Sequence, residues 1–288
     1  MKLRVREYLR SPLGVWYRIC FECASALKRE DEVKETLRPS RDVEDANRIV
    51  SKYWELDREI KKDAVVYTCI TKGYDDIAKI AVPTFVNYKW DYLCFTDDIE
   101  QIKSGRIGVW KIRPLAFAEL DGTRNNRWHK FHPEVLFPGY SESIYIDANV
   151  DVLTDWIFKE ALRRDTKLML PLHPVRKCIF QEYKAIMAQF MDDPQRLLSE
   201  RRLIVSSGMP RNYGLTENNV IYRKHNDPLN MKMMSECWDM LVRYSKRDQL
   251  CLSWILWKHG IRIDDIAFPN ARHDTKNFYV GRHKHLVS

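Results

Sequence analysis

An apolar run leads straight into acidic and amide side chains in Ser143-Ile-Tyr-Ile-Asp147-Ala-Asn149-Val-Asp151. The run reads as a strand, and in an α/β sheet ligands collect outside the carboxyl ends of strands. Oxygen ligands placed there suit a hard divalent cation, Mg2+ or Mn2+, bridging a diphosphate. Asp147 and Asn149 are the candidate ligands, with Asp151 as a support. The plainer alternative is that Asp147 only caps a turn. Just upstream, Arg124-Asn-Asn-Arg127-Trp-His129-Lys130 sets three cations within seven residues. Arg127 and Lys130, three apart on a helix, can face one anion and hold the phosphates of a nucleotide, with Arg124 beside them. A solvated basic face is the alternative for this cluster.

Other segments offer further chemistry. In VYTCITKGYDD, Thr68, Thr71, Gly73 and Tyr74 sit where the chain leaves a strand, and a base or ribose can stack on Tyr74 there. The segment is neither G-x-G-x-x-G nor a P-loop, and no G-x-S-x-G elbow occurs, which argues against dehydrogenase, P-loop kinase and α/β-hydrolase readings. Glu217 in GLTENN and Asp248 in RDQL put carboxylates beside apolar elements. Either can serve as a base or face a sugar if a hydroxyl comes within reach. A turn residue and a helix N-cap are their plainer roles. In the tail, Gly281-Arg282-His283-Lys284-His285, His283 is a candidate late metal ligand or phosphate contact, with a disordered basic tail as the alternative.

The elements that must carry these residues follow from the hydrophobic pattern. Strands are expected at 64–70, 91–95, 109–112, 143–146, 167–172 and 219–223, and helices at 75–82, 127–136, 181–190, 227–246 and 247–259. Strands alternating with helices imply an α/β sheet of largely parallel strands. The tail from Arg262 reads as irregular. With 288 residues and 45% hydrophobic content the chain can bury a sizeable core. No uncharged apolar run reaches the ~18 residues of a membrane span, and the first residues lack a signal-peptide core, so a cytoplasmic protein is expected. Seven cysteines at scattered spacings suggest thiols in a reducing compartment rather than a metal or redox centre.

The net charge of +8 leans toward polyanionic partners. No helix-turn-helix, zinc-finger spacing or RNA-binding motif accompanies it, which argues against nucleic acid. Residues 1–62 form a basic, helix-compatible extension ahead of a core domain at 63–288. Arg4, Arg6, Arg10, Arg18, Lys28 and Arg29, with Leu9, Leu13 and Trp16, can attach such a segment peripherally to an anionic membrane surface. Packing on the main domain or on a partner is the plainer reading.

Taken in order, VYTCITKGYDD, YLCFTDD, RNNRWHKFHPEVLFPGYSESIYIDANVDV, LHPVRKCIFQEY, GLTENNVIYRKHND and W…RDQLCLSW resemble the glycosyltransferase-like family known from plant mucilage and wall-polysaccharide proteins and from bacterial polysaccharide gene clusters. The resemblance spans roughly residues 63–260. It implies a GT-A-like (Rossmann-like) α/β fold with a mixed, mostly parallel sheet flanked by helices, in which the Asp motif holds the diphosphate of a nucleotide sugar. The usual Asp-x-Asp stands here as Asp147-Ala-Asn149, so Arg124, Arg127 and Lys130 can take over part of a metal's work. RDQL is similar to the Asp-Gln near the donor sugar and acceptor in glycogenin-type transferases. The implied reaction moves a sugar from a nucleoside diphosphate to a hydroxyl of a glycan or lipid-linked acceptor, as in capsule or O-antigen assembly. Two alternatives are a non-catalytic scaffold of a polysaccharide assembly complex and a lipid-directed hydrolase.

Overall fold

The computed structural model describes residues 14–15 and 38–283. The N-terminal residues expected to meet a membrane (Arg4, Arg6, Leu9, Arg10, Leu13, Trp16, Arg18, Lys28 and Arg29) lie outside the described residues. Among the described residues, no helix is long and apolar enough to cross a membrane. The first element, α1 (Val43–Glu59), precedes β1 (Ala64–Ile70). All seven residues of β1 are buried, as a β-branched, aromatic run demands when both sheet faces are covered. A 3-10 turn (Ile77–Ile80), β2 (Asp91–Thr96), α2 (Ile99–Ser104), β3 (Arg106–Ile107) and β4 (Trp110–Pro114) follow. Next come α3 (Gly122–Phe131), α4 (Pro133–Leu136), β5 (Glu142–Ile146), β6 (Val150–Val152), α5 (Trp156–Arg164) and β7 (Leu168–Pro171). Helices α6 (Ile179–Ala188) and α7 (Pro194–Ser206), strand β8 (Val220–Arg223), and helices α8 (Pro228–Arg243) and α9 (Asp248–Lys258) lead to α10 (Ile263–Ile266), β9 (Ala267–Phe268) and β10 (Phe278–Val280).

Eight strands form one sheet in the order β3-β4-β2-β1-β5-β8-β7-β9, and β10 pairs separately with β6. Strands β4, β2, β1 and β5 run parallel to one another. β8 is antiparallel to both β5 and β7, while β9 runs parallel to β7, so only β3 and β8 oppose the common direction. This is the mixed, mostly parallel α/β sheet with flanking helices that the GT-A-like expectation called for. Alternation along β1 divides the core. Val65, Tyr67 and Cys69 face α6, α8 and α9, while Ala64, Val66 and Ile70 face the side covered by α1 and α5.

Several elements differ from expectation: the helix at 75–82 is only the 3-10 turn, the helix at 127–136 is the pair α3 and α4, and α7 was not expected. The packed unit does not begin at 63. Tyr53 of α1 is fully buried, its hydroxyl donates to Trp90 O and accepts from Tyr92 N–H, each at 3.2 Å. Trp54 Nε1 donates to Gly108 O at 2.9 Å, and Arg41 donates to Pro83 O and Thr84 O. Lys62 and Lys111 together bridge Asp57 of α1 and Asp91 of β2. The helix is polar along most of its length, which hides the one stripe that docks. The tail is not irregular either. After Arg262 it forms α10, β9 and β10, and β10 lies antiparallel to β6 with Tyr279 opposite Asp151.

Candidate active site

A cleft of about 770 Å3 opens at the carboxyl ends of β1 and β5, large enough for a nucleotide-sized ligand. The turn from β5 into β6 builds its floor. Asp147 N–H donates to Asn219 O at 2.8 Å and Asp147 O accepts from Val150 N–H at 2.9 Å. The Asp147 carboxylate keeps 26% of its side-chain surface open and lies 3.8 Å from Lys130 Nζ. Asn149 donates through Nδ2 to Gly281 O at 2.6 Å, and its Oδ1 is buried without a partner. The β6–β10 pairing carries the tail across this turn, so His283 Nε2 comes within 3.5 Å of Asn149 Nδ2. His283 Nδ1 sits 2.9 Å from the Asp75 carboxylate, and its ring lies 4.8 Å from that of Tyr74. A carboxylate at Nδ1 fixes the tautomer that leaves Nε2 as a lone-pair donor, the arrangement found behind metal-binding histidines.

This geometry is the fit test for a divalent cation. Asp147 and His283 both line the cleft, while Asn149, outside its lining, meets His283 Nε2 through Nδ2 at 3.5 Å and keeps its Oδ1 orphaned. Among the described residues no group of three His, Cys, Asp or Glu suffices to hold a metal, so the set depends on the Asn149 amide oxygen. Asp151 does not join it. Its carboxylate is 1% exposed and accepts from Thr84 N–H and Thr84 Oγ, with Arg38 Nε at 2.6 Å. Those bonds pin the 82–84 segment and the chain before α1 to β6.

Arg127 and Lys130 do face one anion, and it is a carboxylate of this chain. Lys130 Nζ lies 2.6 Å from Asp248 Oδ2 with 2% of its side chain exposed, and sits over the Tyr145 ring at 4.8 Å. Arg127 Nε is 3.4 Å from Asp248 Oδ1. Asp248 is the first residue of α9, after an Arg247 N-cap, so it is not the cap itself. Burial works to raise its pKa, but Arg127, Lys130 and Arg247 outweigh burial and hold the carboxyl at about 2. A carboxylate so acidic is a weak proton acceptor at neutral pH; it serves as the counter-ion that sets two cations on the cleft wall. Glu217 also lines the cleft with both oxygens engaged, Oε1 by Arg272 Nε at 2.6 Å and Oε2 by Asn270 Nδ2 at 3.0 Å.

Three further expectations are corrected by position. Arg124 does not line the cleft. It donates to Leu241 O and Tyr244 O and pairs with Asp121, satisfying carbonyls at the α8 terminus. Thr68 lies inside β1, fully buried on the α1 side. Gly73 shapes rather than lines. Lys72 and Gly73 both take left-handed φ (53° and 59°) in a turn closed by Tyr74 N–H to Thr71 O, and this turn delivers Thr71 and Tyr74 to the cleft. Sequence reasoning missed Asn126, Asn218, Asn219 and Arg272, which also line it. The side-chain amide of Asn219 and the Nδ2 of Asn218 are buried without partners. The Glu-Asn-Asn run was the available signal for that pair; Arg272 carried none.

A search among curated proteins finds no match for the chain. Among solved structures it is similar to the bifunctional glycosyltransferase WbbM in its apo form, with 14% identity and a TM-score of 0.45 over 82% of this chain. The chain spans 40% of the length of that structure. Mouse xyloside xylosyltransferase 1 in its apo form gives 11% identity and a TM-score of 0.42, covering 72% of this chain and 84% of the other. The galactosyltransferase LgtC in complex with donor and acceptor sugar analogs gives 12% and 0.39, covering 67% and 70%. The TOD1/MUCI70 glycosyltransferase-like domain matches residues 52–273, from within α1, past the cleft, to just beyond β9, and the chain belongs to that family.

Proposed function

We propose that this protein transfers a sugar from a nucleoside-diphosphate sugar to a hydroxyl of a glycan or lipid-linked acceptor, in the assembly of a surface polysaccharide such as a capsule or O-antigen. The observation that carries the reading is that Asp147 and His283 line one cleft together with Arg127 and Lys130, with Asn149 against His283. Mn2+ or Mg2+ would be held by Asp147, Asn149 Oδ1 and His283 Nε2. When bound, the ion supplies electrostatic stabilisation to the diphosphate oxygens.

The chain's own residues divide the remaining work. Thr71 and Tyr74 border the space for the nucleoside, and the Tyr74 ring, 47% exposed, is available for stacking. Lys130 and Arg127, fixed by Asp248, present positive charge where the leaving diphosphate gathers negative charge; such prearranged charge needs no reorganisation during reaction. Asp75 holds the His283 imidazole in one orientation. Glu217, steadied by Arg272 and Asn270, faces the sugar side of the cleft.

A donor screen reading release of free nucleoside diphosphate, with and without Mn2+, tests the proposal. Asp147→Ala should abolish release stimulated by acceptor while shifting the melting temperature by no more than ~2 °C, since Asp147 is partly exposed and Lys130, 3.8 Å away, keeps Asp248 as its close partner. Wild-type release by that variant would overturn the assignment.

A further inference from the structure

One wall of the cleft is built by a loop. Between α8 and α9 the chain runs through Tyr244–Arg247, and Lys246, Arg247 and Asp248 of this stretch line the cleft. Fixing such a loop costs conformational entropy, so something must hold it. Its carbonyl side is held from two helices. Arg124 of α3 donates to Leu241 O and Tyr244 O, and Arg196 of α7 donates to Val242 O and Tyr244 O.

Its amide side is held by one carboxylate from a distant segment. Asp192, between α6 and α7, is 5% exposed. Its Oδ2 accepts from Ser245 Oγ at 2.7 Å and from Lys246 N–H at 2.8 Å. Ser245 Oγ in turn accepts from Arg247 N–H at 3.2 Å, and the side chain of Ser245 is fully buried. Oδ1 of Asp192 accepts from Asp193 N–H, which orients the carboxylate. One acid thus fixes two consecutive backbone amides of the loop, directly and through Ser245. The residue before it, Met191, lines the cleft itself, so Asp192 joins two of its walls.

We propose that Asp192 is a positioning residue of this cleft: it sets where Lys246, Arg247 and Asp248 stand, and through Asp248 where Lys130 and Arg127 stand, toward an anionic ligand. The inference rests on reading the cleft as a diphosphate site. Its test therefore has one readout that needs no ligand and one that does.

The ligand-free readout is hydrogen exchange at the amides of Lys246 and Arg247. The other is calorimetric binding of inorganic pyrophosphate, which carries the charge of a donor diphosphate without its base or sugar. Asp192→Ala should speed exchange at both amides by at least about tenfold and weaken pyrophosphate about tenfold, as expected from losing hydrogen bonds to a charged acceptor. Asp192→Asn, which keeps an oxygen for Ser245 and Lys246, should recover most of both. Ser245→Ala should free the Arg247 amide more than that of Lys246, and adding it to Asp192→Ala should change little, because both act in one network. Unchanged exchange at Lys246 and Arg247 in Asp192→Ala overturns the proposal, as does faster exchange with pyrophosphate affinity within about twofold of wild type. If Asp192→Ala cannot be purified, the same two readouts on Asp192→Asn and Ser245→Ala decide. Failure of the wild-type protein to bind pyrophosphate overturns the diphosphate reading, while the exchange data still judge whether Asp192 fixes the loop.

Discussion

Asp248→Asn removes one charge from the centre of the site and keeps its shape. In the folded protein the carboxyl is held at about 2 against an ordinary value of 3.8, net of a burial cost that acts the other way. A shift of this size corresponds to roughly 2–3 kcal/mol favouring the ionised form. The variant also leaves Lys130, 2% exposed, without its partner at 2.6 Å. Breaking a buried pair from one side costs about 3–5 kcal/mol. A loss near 3 kcal/mol is therefore expected, and at ~2–4 °C per kcal/mol for a chain of this size the melting temperature should fall by about 6–12 °C. The group's folded pKa is depressed, so its stabilisation is present above the unfolded value and is lost as pH falls toward 2. The gap between wild type and variant should be constant from pH ~5 upward and close below pH ~4. Differential scanning fluorimetry with and without pyrophosphate adds the functional half. A diphosphate returns the missing negative charge to Lys130 and Arg127, so it should stabilise the variant more than the wild type. A variant within ~2 °C of wild type without ligand, or equal ligand-induced shifts in both proteins, would refute the idea that Asp248 is the counter-ion of these cations.

Other perturbations probe separate parts of the molecule. Asn149→Asp should preserve activity and tighten Mn2+ binding measured by calorimetry, because a carboxylate is the stronger oxygen ligand; loss of binding would remove position 149 from the set. Glu200 is wholly buried, and burial, with the charge of Asp192 nearby, lifts its carboxyl well above the usual range against the lowering hydrogen bond from Tyr183. Since the unfolded chain releases this proton first, stability should fall as pH rises above ~4.5, and Glu200→Gln should melt higher than wild type at pH 7; a lower melting temperature would show that the ionised form is needed. A chain starting at Asp63 should be insoluble or unfolded, since it lacks Tyr53 and the Asp57 bridge; a cooperative thermal transition in that fragment would show that α1 is dispensable.

The strands that aim the site were legible because their burial is total. AVVYTCI and SIYI carry no charge and are mostly apolar, and Asp147 follows the second directly. What pattern could not separate was neighbours with different tertiary partners. Arg124 and Arg127 look alike in sequence, yet one caps α8 and the other meets Asp248, and only the crossing of α3 with α8 and α9 decides which. Asp151 continues the alternation of Asp147 and Asn149, but its fate depends on Thr84 and Arg38, far away in the chain. β9 and β10 have two and three residues, too few for any periodicity to register. His283 stood out as an imidazole near the chain's end, while its partner Asp75 lies 208 positions earlier.

The pairing of β10 with β6 bears on the order in which a growing chain becomes competent. Residues 64–268 contain the whole main sheet and leave the ribosome before Phe278–Val280 and His283. Until that last stretch emerges, Asp75 has no imidazole to orient and Asn149 has no Gly281 carbonyl to bond. A nascent chain can thus fold its core while its cation site is unmade, so that, on the proposed function, stalled or C-terminally clipped products would compete poorly for donor in the cell. The same dependence means that strain on β10 is passed within a few residues to His283 and Asn149.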